Sequence, residues 1–297
     1  MSKKNIFAAA ALAVTSALVL VGCAAAPDSN NTADGSKIDA AAAALVPQEY
    51  KDAGEVNVGS DIPYAPMEML DDAGNVTGFD YDLAQLIGEK LGLKFTFEKQ
   101  SFDALIPSLE AGNHDAIMSG MSDTVERQAK LDFVDYFLGG SSLVINKGNP
   151  DGVTDLQSLC GKTAVIEAAT VQGDTLAAVD CGDKGAITVL SFPDVPSTLN
   201  ALRAGKGVAF LIDSPVAADA ARTAGEGKYF ELAVDPAAPA GYEPGFFGIG
   251  VLKGDKLALA IQAALQAAIN DGSYQAVLDK WNLGTFAVTE ATLNGTK

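Results

Sequence analysis

From residue 55 onward, short apolar runs alternate with segments whose apolar positions recur every three or four residues. Residues 55–60 read as a strand. Asp80 opens a helix that places Leu83, Leu86, Ile87 and Leu91 on one face, and Gly92 ends it. Residues 93–98 are again strand-like, 102–111 helical, 115–118 a strand and 124–130 a short helix. Strands at 163–166, 186–190 and 208–212 follow, separated by helices near 170–179 and 195–204. This order predicts an α/β fold of parallel sheets covered by helices. Ligands of such sheets bind beyond the carboxyl ends of the strands, so the turns after the strands are where function is expected.

The N-terminus follows another pattern. Lys3 and Lys4 precede an apolar run, 6–21, whose only polar residues are Thr15 and Ser16. The run is shorter than the roughly 20 residues a spanning helix needs, and it ends in Leu20-Val21-Gly22-Cys23, which resembles the bacterial lipobox. A signal peptide over 1–22 and lipidation of Cys23 are expected, which would anchor the chain to the outer face of the cell membrane. A tether over 23–45 follows; its stretch 24–39, rich in Ala, Asn, Asp, Ser and Gly, cannot bury enough apolar surface to fold alone. The remaining length suits one large core or two smaller ones.

Composition narrows the chemistry. Asp and Glu outnumber Lys and Arg 38 to 20, a surface that repels nucleic acid. With Cys23 assigned to lipid, Cys160 and Cys181 remain as a disulfide pair in an oxidising compartment. The only histidine, His114, lies in the polar turn Gly112-Asn113-His114-Asp115 and is expected at the solvent surface, so no metal site is expected. Gly161-Lys162-Thr163 resembles the end of a phosphate loop, but Leu156 occupies the place of the first glycine and a strand follows where a helix is required. Neither a dinucleotide glycine pattern nor a nucleophile elbow occurs, and no cofactor is expected.

The turns carry an ordered set of motifs: Ser60-Asp61-Ile62-Pro63-Tyr64-Ala65-Pro66-Met67-Glu68, Gly78-Phe79-Asp80-Tyr81-Asp82-Leu83-Ala84, and Phe102-Asp103-Ala104-Leu105-Ile106-Pro107-Ser108-Leu109. Ser119-Gly120-Met121-Ser122-Asp123-Thr124-Val125-Glu126-Arg127 and Leu131-Asp132-Phe133-Val134-Asp135-Tyr136-Phe137 come next, and Asp271-Gly272-Ser273-Tyr274 with Lys280-Trp281 close the series. Taken in order, these resemble the family 3 bacterial extracellular solute-binding proteins, the amino-acid-binding components of ABC importers.

The resemblance implies a periplasmic-binding-protein-like clamp of two α/β lobes joined by a two-strand hinge. The first lobe would comprise 46–146 and 245–286, the second 148–240. It implies a monomer that performs no chemistry, closes on an amino acid and is read by a membrane permease. Arg127 matches the residue that forks onto the ligand's α-carboxylate, a task suited to a planar guanidinium. Gly120 and Ser122 match groups offered to the ammonium and carboxylate, and Asp213 matches the second-lobe acid that receives the ammonium. Ser214 as N-cap and Pro215 as first helical residue would leave Asp213 free for that role.

Thr170 matches the opening of a helix whose N–H groups hold the carboxylate, although Ala168-Ala169-Thr170-Val171 replaces the more usual glycine and paired hydroxyls. Tyr64 and Phe102 match aromatic walls. Asp61, and Glu167 at a position that in the family can face the ligand's side chain, favour an arginine-, lysine- or ornithine-like ligand first and a glutamine-like one second. The rival reading is an exported cyclohexadienyl-dehydratase-like enzyme on the same fold.

Overall fold

The computed structural model describes residues 37–297; the expected signal peptide and Cys23 lie outside the described residues. The strands, in chain order, are β1 (Glu55–Ser60), β2 (Met69–Leu70), β3 (Val76–Thr77), β4 (Lys94–Lys99), β5 (Ala116–Ile117) and β6 (Leu131–Asn146). They continue with β7 (Thr163–Glu167), β8 (Thr188–Phe192), β9 (Ala209–Asp213), β10 (Phe230–Ala233), β11 (Tyr242–Leu252) and β12 (Thr292–Leu293).

One mixed sheet runs β4-β1-β5-β11-β6-β9-β7-β8, with β10 and β12 paired on β6 and β2–β3 forming a separate hairpin. The pairs β1–β4, β1–β5, β7–β8 and β7–β9 are parallel, as the alternation predicts. The single sheet arises because β6 is long enough to serve both lobes. Its first half, from Leu131 to Leu138, pairs with Phe246–Leu252 of β11, and its second half pairs Ser141–Ile145 with β9. Between the halves, a Cβ on Gly140 would meet Ala240 O and Tyr242 O at 2.8 Å, so only glycine fits where the two hinge strands cross.

The helices Phe79–Leu91, Phe102–Glu110, Leu257–Asp271 and Ser273–Trp281 fall in the stretches expected for the first lobe, and Gln172–Ala177, Val195–Arg203 and Ser214–Thr223 in that expected for the second. Leu83, Ile87 and Leu91 are buried as their spacing implies, and Gly92 ends that helix with a φ of 71°. Leu143, Ile145, Ala164, Ile166 and Leu211 form one apolar cluster across β6, β7 and β9. Cys160 and Cys181 are bonded, with Cα atoms 5.4 Å apart. Closing a loop of 21 residues stabilises the fold by about 3 kcal/mol in the chain-entropy account.

Several local expectations are corrected. Residues 40–45, counted with the tether, form the helix Ala40–Leu45, capped by Asp39 and anchored by buried Ala42. The helix expected at 124–130 is a 3₁₀ turn, Arg127–Ala129, and the strand expected at 186–190 is Thr188–Phe192. His114 is not exposed but 6% accessible, lying so close to Gly59 that a Cβ there would sit 2.6 Å from its ring. The polar turn misled because the imidazole folds back against β1. Among the described residues, no helix is long and apolar enough to cross a membrane, and no group of three or more His, Cys, Asp or Glu is placed to hold a metal ion.

Candidate functional site

The turn after β1 brings Tyr64 back on itself: its N–H donates to Glu68 O at 2.7 Å, and its hydroxyl donates to Asp213 Oδ2 at 2.5 Å. This bond joins the lobes directly. Gly120 has a φ of 53°, and a Cβ there would lie 2.9 Å from the Tyr64 ring, so a side chain would displace that aromatic wall. Ser122 O accepts from Arg127 Nη1 at 2.9 Å, and Arg127 Nη2 crosses to the second lobe to donate to Ala169 O at 3.1 Å. The guanidinium lies 5.4 Å from the centre of the Phe102 ring, within cation–π range.

Ala169 has a φ of 62°, which a non-glycine residue adopts at a cost. The turn it makes lets the Thr170 hydroxyl donate to Glu167 O at 2.8 Å. Tyr64, Phe102, Gly120, Ser122, Arg127, Glu167, Thr170 and Asp213 all line one cavity between the lobes, of about 10 Å³. The ninth candidate, Asp61, lies behind it against Glu167. Val171 also lines the cavity.

Asp213 occupies the N-cap position, and Ser214 is the first helical residue rather than the cap. The Asp213 carboxylate nonetheless makes no capping bond, and the second helical residue, Pro215, has no N–H that would need one; the Ser214 hydroxyl donates instead to Gly140 O at 2.7 Å. Burial pushes Asp213 up to about 6, opposed by hydrogen bonds from Tyr64 and Gln172 and by the charge of Arg127. Arg127 is lowered by burial, against the attraction of Asp213.

Asp61 and Glu167 are 3% and 2% accessible, and their carboxyls meet across the cleft. Asp61 Oδ2 and Glu167 Oε1 receive no donor. Two buried carboxyls in contact need a proton or a cation between them. Accordingly, burial followed by the facing Asp61 pushes Glu167 up to about 10, and burial raises Asp61.

Three contributors lie outside the nine candidates. Gln172, 4% accessible, donates to Asp213 Oδ1 at 2.7 Å and to the Ser141 hydroxyl at 3.0 Å, tying the second-lobe acid to the hinge. The only signal for it was its place in the first turn of the helix that follows Thr170. Glu68 and Asp80 form a second buried carboxyl pair beneath the first-lobe loop. Asp80 Oδ2 accepts from Gly120 N at 3.0 Å and from the Tyr136 hydroxyl at 2.8 Å. Glu68 accepts from the Ser119 hydroxyl at 2.6 Å, and that hydroxyl in turn accepts from Asp61 N at 2.8 Å.

This arrangement sets a guanidinium and a carboxylate on one cavity, with a separate acid pair beside them. Residues 56–284 match the family model for bacterial extracellular solute-binding proteins, family 3. The arginine-binding protein ArgT of Corynebacterium glutamicum is 30% identical over 84% of this chain and 82% of its own. The lysine/arginine/ornithine-binding periplasmic protein of Escherichia coli is 32% identical over 76% of this chain and 86% of its own. A solved structure of an ancestral arginine-binding protein bound to glutamine superposes with a TM-score of 0.69 at 30% identity, over 77% of this chain and 98% of that one. With the match spanning both lobes and the hinge between them, the chain belongs to the family 3 bacterial extracellular solute-binding proteins.

Proposed function

We propose that this protein is the extracytoplasmic substrate-binding component of an amino-acid ABC importer and that it closes on a cationic amino acid, with a polar one such as glutamine second. Arg127 would take the α-carboxylate as a forked pair, aided by Ser122 and the Thr170 turn. Asp213 and Gly120 O would take the ammonium, and Tyr64 and Phe102 would wall the side chain. The observation that carries the ligand class is the contact between Asp61 and Glu167. A guanidinium or ammonium between those carboxyls supplies the positive charge that a proton otherwise provides, whereas an acidic side chain adds a third like charge. Closure is favoured because one ligand bonds to both lobes, and the closed shape is what a permease would read. Lipid on Cys23 would hold the monomer at the outer face of the membrane.

Calorimetric titration of the domain with arginine, lysine, glutamine and glutamate tests the reading. Arginine or lysine should bind tightest, and glutamate binding tightest would overturn it. The same domain should leave prephenate and arogenate unchanged; turnover of either would favour the dehydratase. Lipid labelling of the full chain in cells should be lost in Cys23→Ser.

A further inference from the structure

The family match ends at residue 284, yet the chain after it returns to the site. Thr292 and Leu293 add a short strand to the first-lobe half of β6, opposite Asp135 and Val134. Asn294 then makes a two-way bond with Phe133: its N–H donates to Phe133 O at 2.9 Å, and its side-chain oxygen accepts from Phe133 N at 2.8 Å. From there the segment reaches the loop that carries Ser122 and Arg127. Thr296 N donates to Asp123 Oδ2 at 3.1 Å, and the Gln128 amide donates both to Asp123 Oδ1 at 2.7 Å and to Thr296 O at 2.9 Å. Asp123 and Gln128 each adjoin one of the two loop residues assigned to the ligand carboxylate.

The segment also keeps two acids together. Asp135 is fully buried and Asp123 is 3% accessible, and the facing Asp123 adds to the burial that holds Asp135 up at about 6. Gly295 N and the Thr292 hydroxyl donate to Asp135 Oδ2 at 2.9 and 2.7 Å, while Thr296 N serves Asp123. Without these donors, two buried carboxyls would face each other with fewer bonds and the loop would be pushed from its seat. The fit is close: a Cβ on Gly295 would lie 2.5 Å from Asp135 Oδ2 and 2.8 Å from the Thr292 hydroxyl oxygen.

We propose that residues 292–296 are a strap that positions the loop 122–128, and through it Ser122 and Arg127, for the carboxylate of the ligand. None of the strap's residues lines the cavity that holds Arg127 and Asp213, and they act as positioning residues. The proposal deepens the amino-acid-binding reading and rests on it.

Gly295→Ala and a chain ending at Ala291 test it with arginine and argininamide, which differ at the carboxylate alone. Either change should weaken arginine binding by about tenfold, the worth of one or two hydrogen bonds held in place, and argininamide binding by much less. Equal losses for both ligands would mean that the strap only stabilises the fold, and unchanged arginine affinity would also overturn the proposal. Hydrogen exchange supplies a readout that needs neither ligand nor variant stability. In the parent protein the amides of Gly295 and Thr296 should open together with those of Asp123 and Arg127; strap amides that exchange freely while the loop stays protected would refute it. If the parent protein binds none of arginine, lysine and glutamine, the amino-acid reading fails by itself, and the exchange pattern still decides the strap.

Discussion

Two carboxyl pairs lie within reach of the same loop, and they differ in what holds them. Glu68 and Asp80 both belong to the first lobe, both are fully buried, and they remain paired whatever the angle between the lobes. Asp61 belongs to the first lobe and Glu167 to the second, so their contact exists only when the clamp is shut. The first pair is a permanent part of the fold, with Gly120 N, the Tyr136 hydroxyl and the Ser119 hydroxyl bonded to it. The second spends its desolvation at closure, and a ligand can change what it costs. Substitutions within a lobe should therefore read out in unfolding, and substitutions across the cleft in binding.

The sharpest break of this contrast is Asp80→Ala. It leaves Gly120 N–H and the Tyr136 hydroxyl buried without an acceptor, at about 1–3 kcal/mol each. The urea midpoint should fall accordingly, whereas Glu167→Gln should hardly move it; equal midpoints for the two variants would erase the distinction. Next in size is Arg127→Ala, which removes a cation that bonds to both lobes. The loss in arginine affinity should be about 2–5 kcal/mol, thirtyfold or more, with unfolding little changed. An affinity within threefold of the parent would return Arg127 to a surface role.

The parts legible in the sequence are those that repeat or are short-range. Alternating strands and helices gave the parallel halves of the sheet, because β7 and β9 are buried on both faces and read as apolar runs. Arg127 and Asp213 line one cavity, as expected for Arg127 from the ordered motifs and for Asp213 from its place at a strand end. The continuity of β6 was not: Gly139-Gly140 reads as a break, and only the crossing of β11 shows why glycine is needed there. The pairing of Glu68 with Asp80 was hidden for a different reason. The β2–β3 hairpin lies between them in the chain, and local periodicity carries no information about what a hairpin brings together. The tail 292–296 is short and polar, and its seat against Asp123 and Asp135 depends largely on the backbone N–H groups of Gly295 and Thr296, which no side-chain pattern encodes.

The proton between Asp61 and Glu167 gives a smaller effect with a definite sign. In the open clamp the two solvated acids should titrate near ordinary carboxyl values; in the closed clamp both are raised, Glu167 to about 10. Closing on a neutral ligand therefore binds a proton. Its contribution is fully present below the ordinary carboxyl range and is lost as pH rises toward 10. Asp194 and Asp103 add to the negative field and Lys99 opposes it, while Asp213 also faces Glu167. Glutamine affinity should fall by up to about tenfold per unit between pH 6 and 8, one proton's worth. Arginine affinity should change far less, because the cation replaces the proton. Parallel pH profiles for the two ligands would show that the pair does not meet the side chain.

The smallest expected effect locates the proton in the permanent pair. Burial and the neighbouring Asp80 raise Glu68 well above the ordinary range, whereas Asp80, with hydrogen bonds from Gly120 N and the Tyr136 hydroxyl, rises only to about 6. At neutral pH the charge then rests on Asp80 and the proton on Glu68, which is hydrogen-bonded to Asp80 and whose Oε2 meets no donor. In Glu68→Gln the amide N–H₂ replaces that O–H as donor to Asp80, and the amide oxygen can still accept from Ser119. Unfolding at pH 7 should stay within about 1 kcal/mol of the parent, the scale of one exchanged neutral hydrogen bond. Asp80→Asn should cost more, since it removes the charge to which Gly120 N and Tyr136 bond and leaves Glu68 to ionise with fewer donors. If the two amides prove equally disruptive, the proton is not held on Glu68.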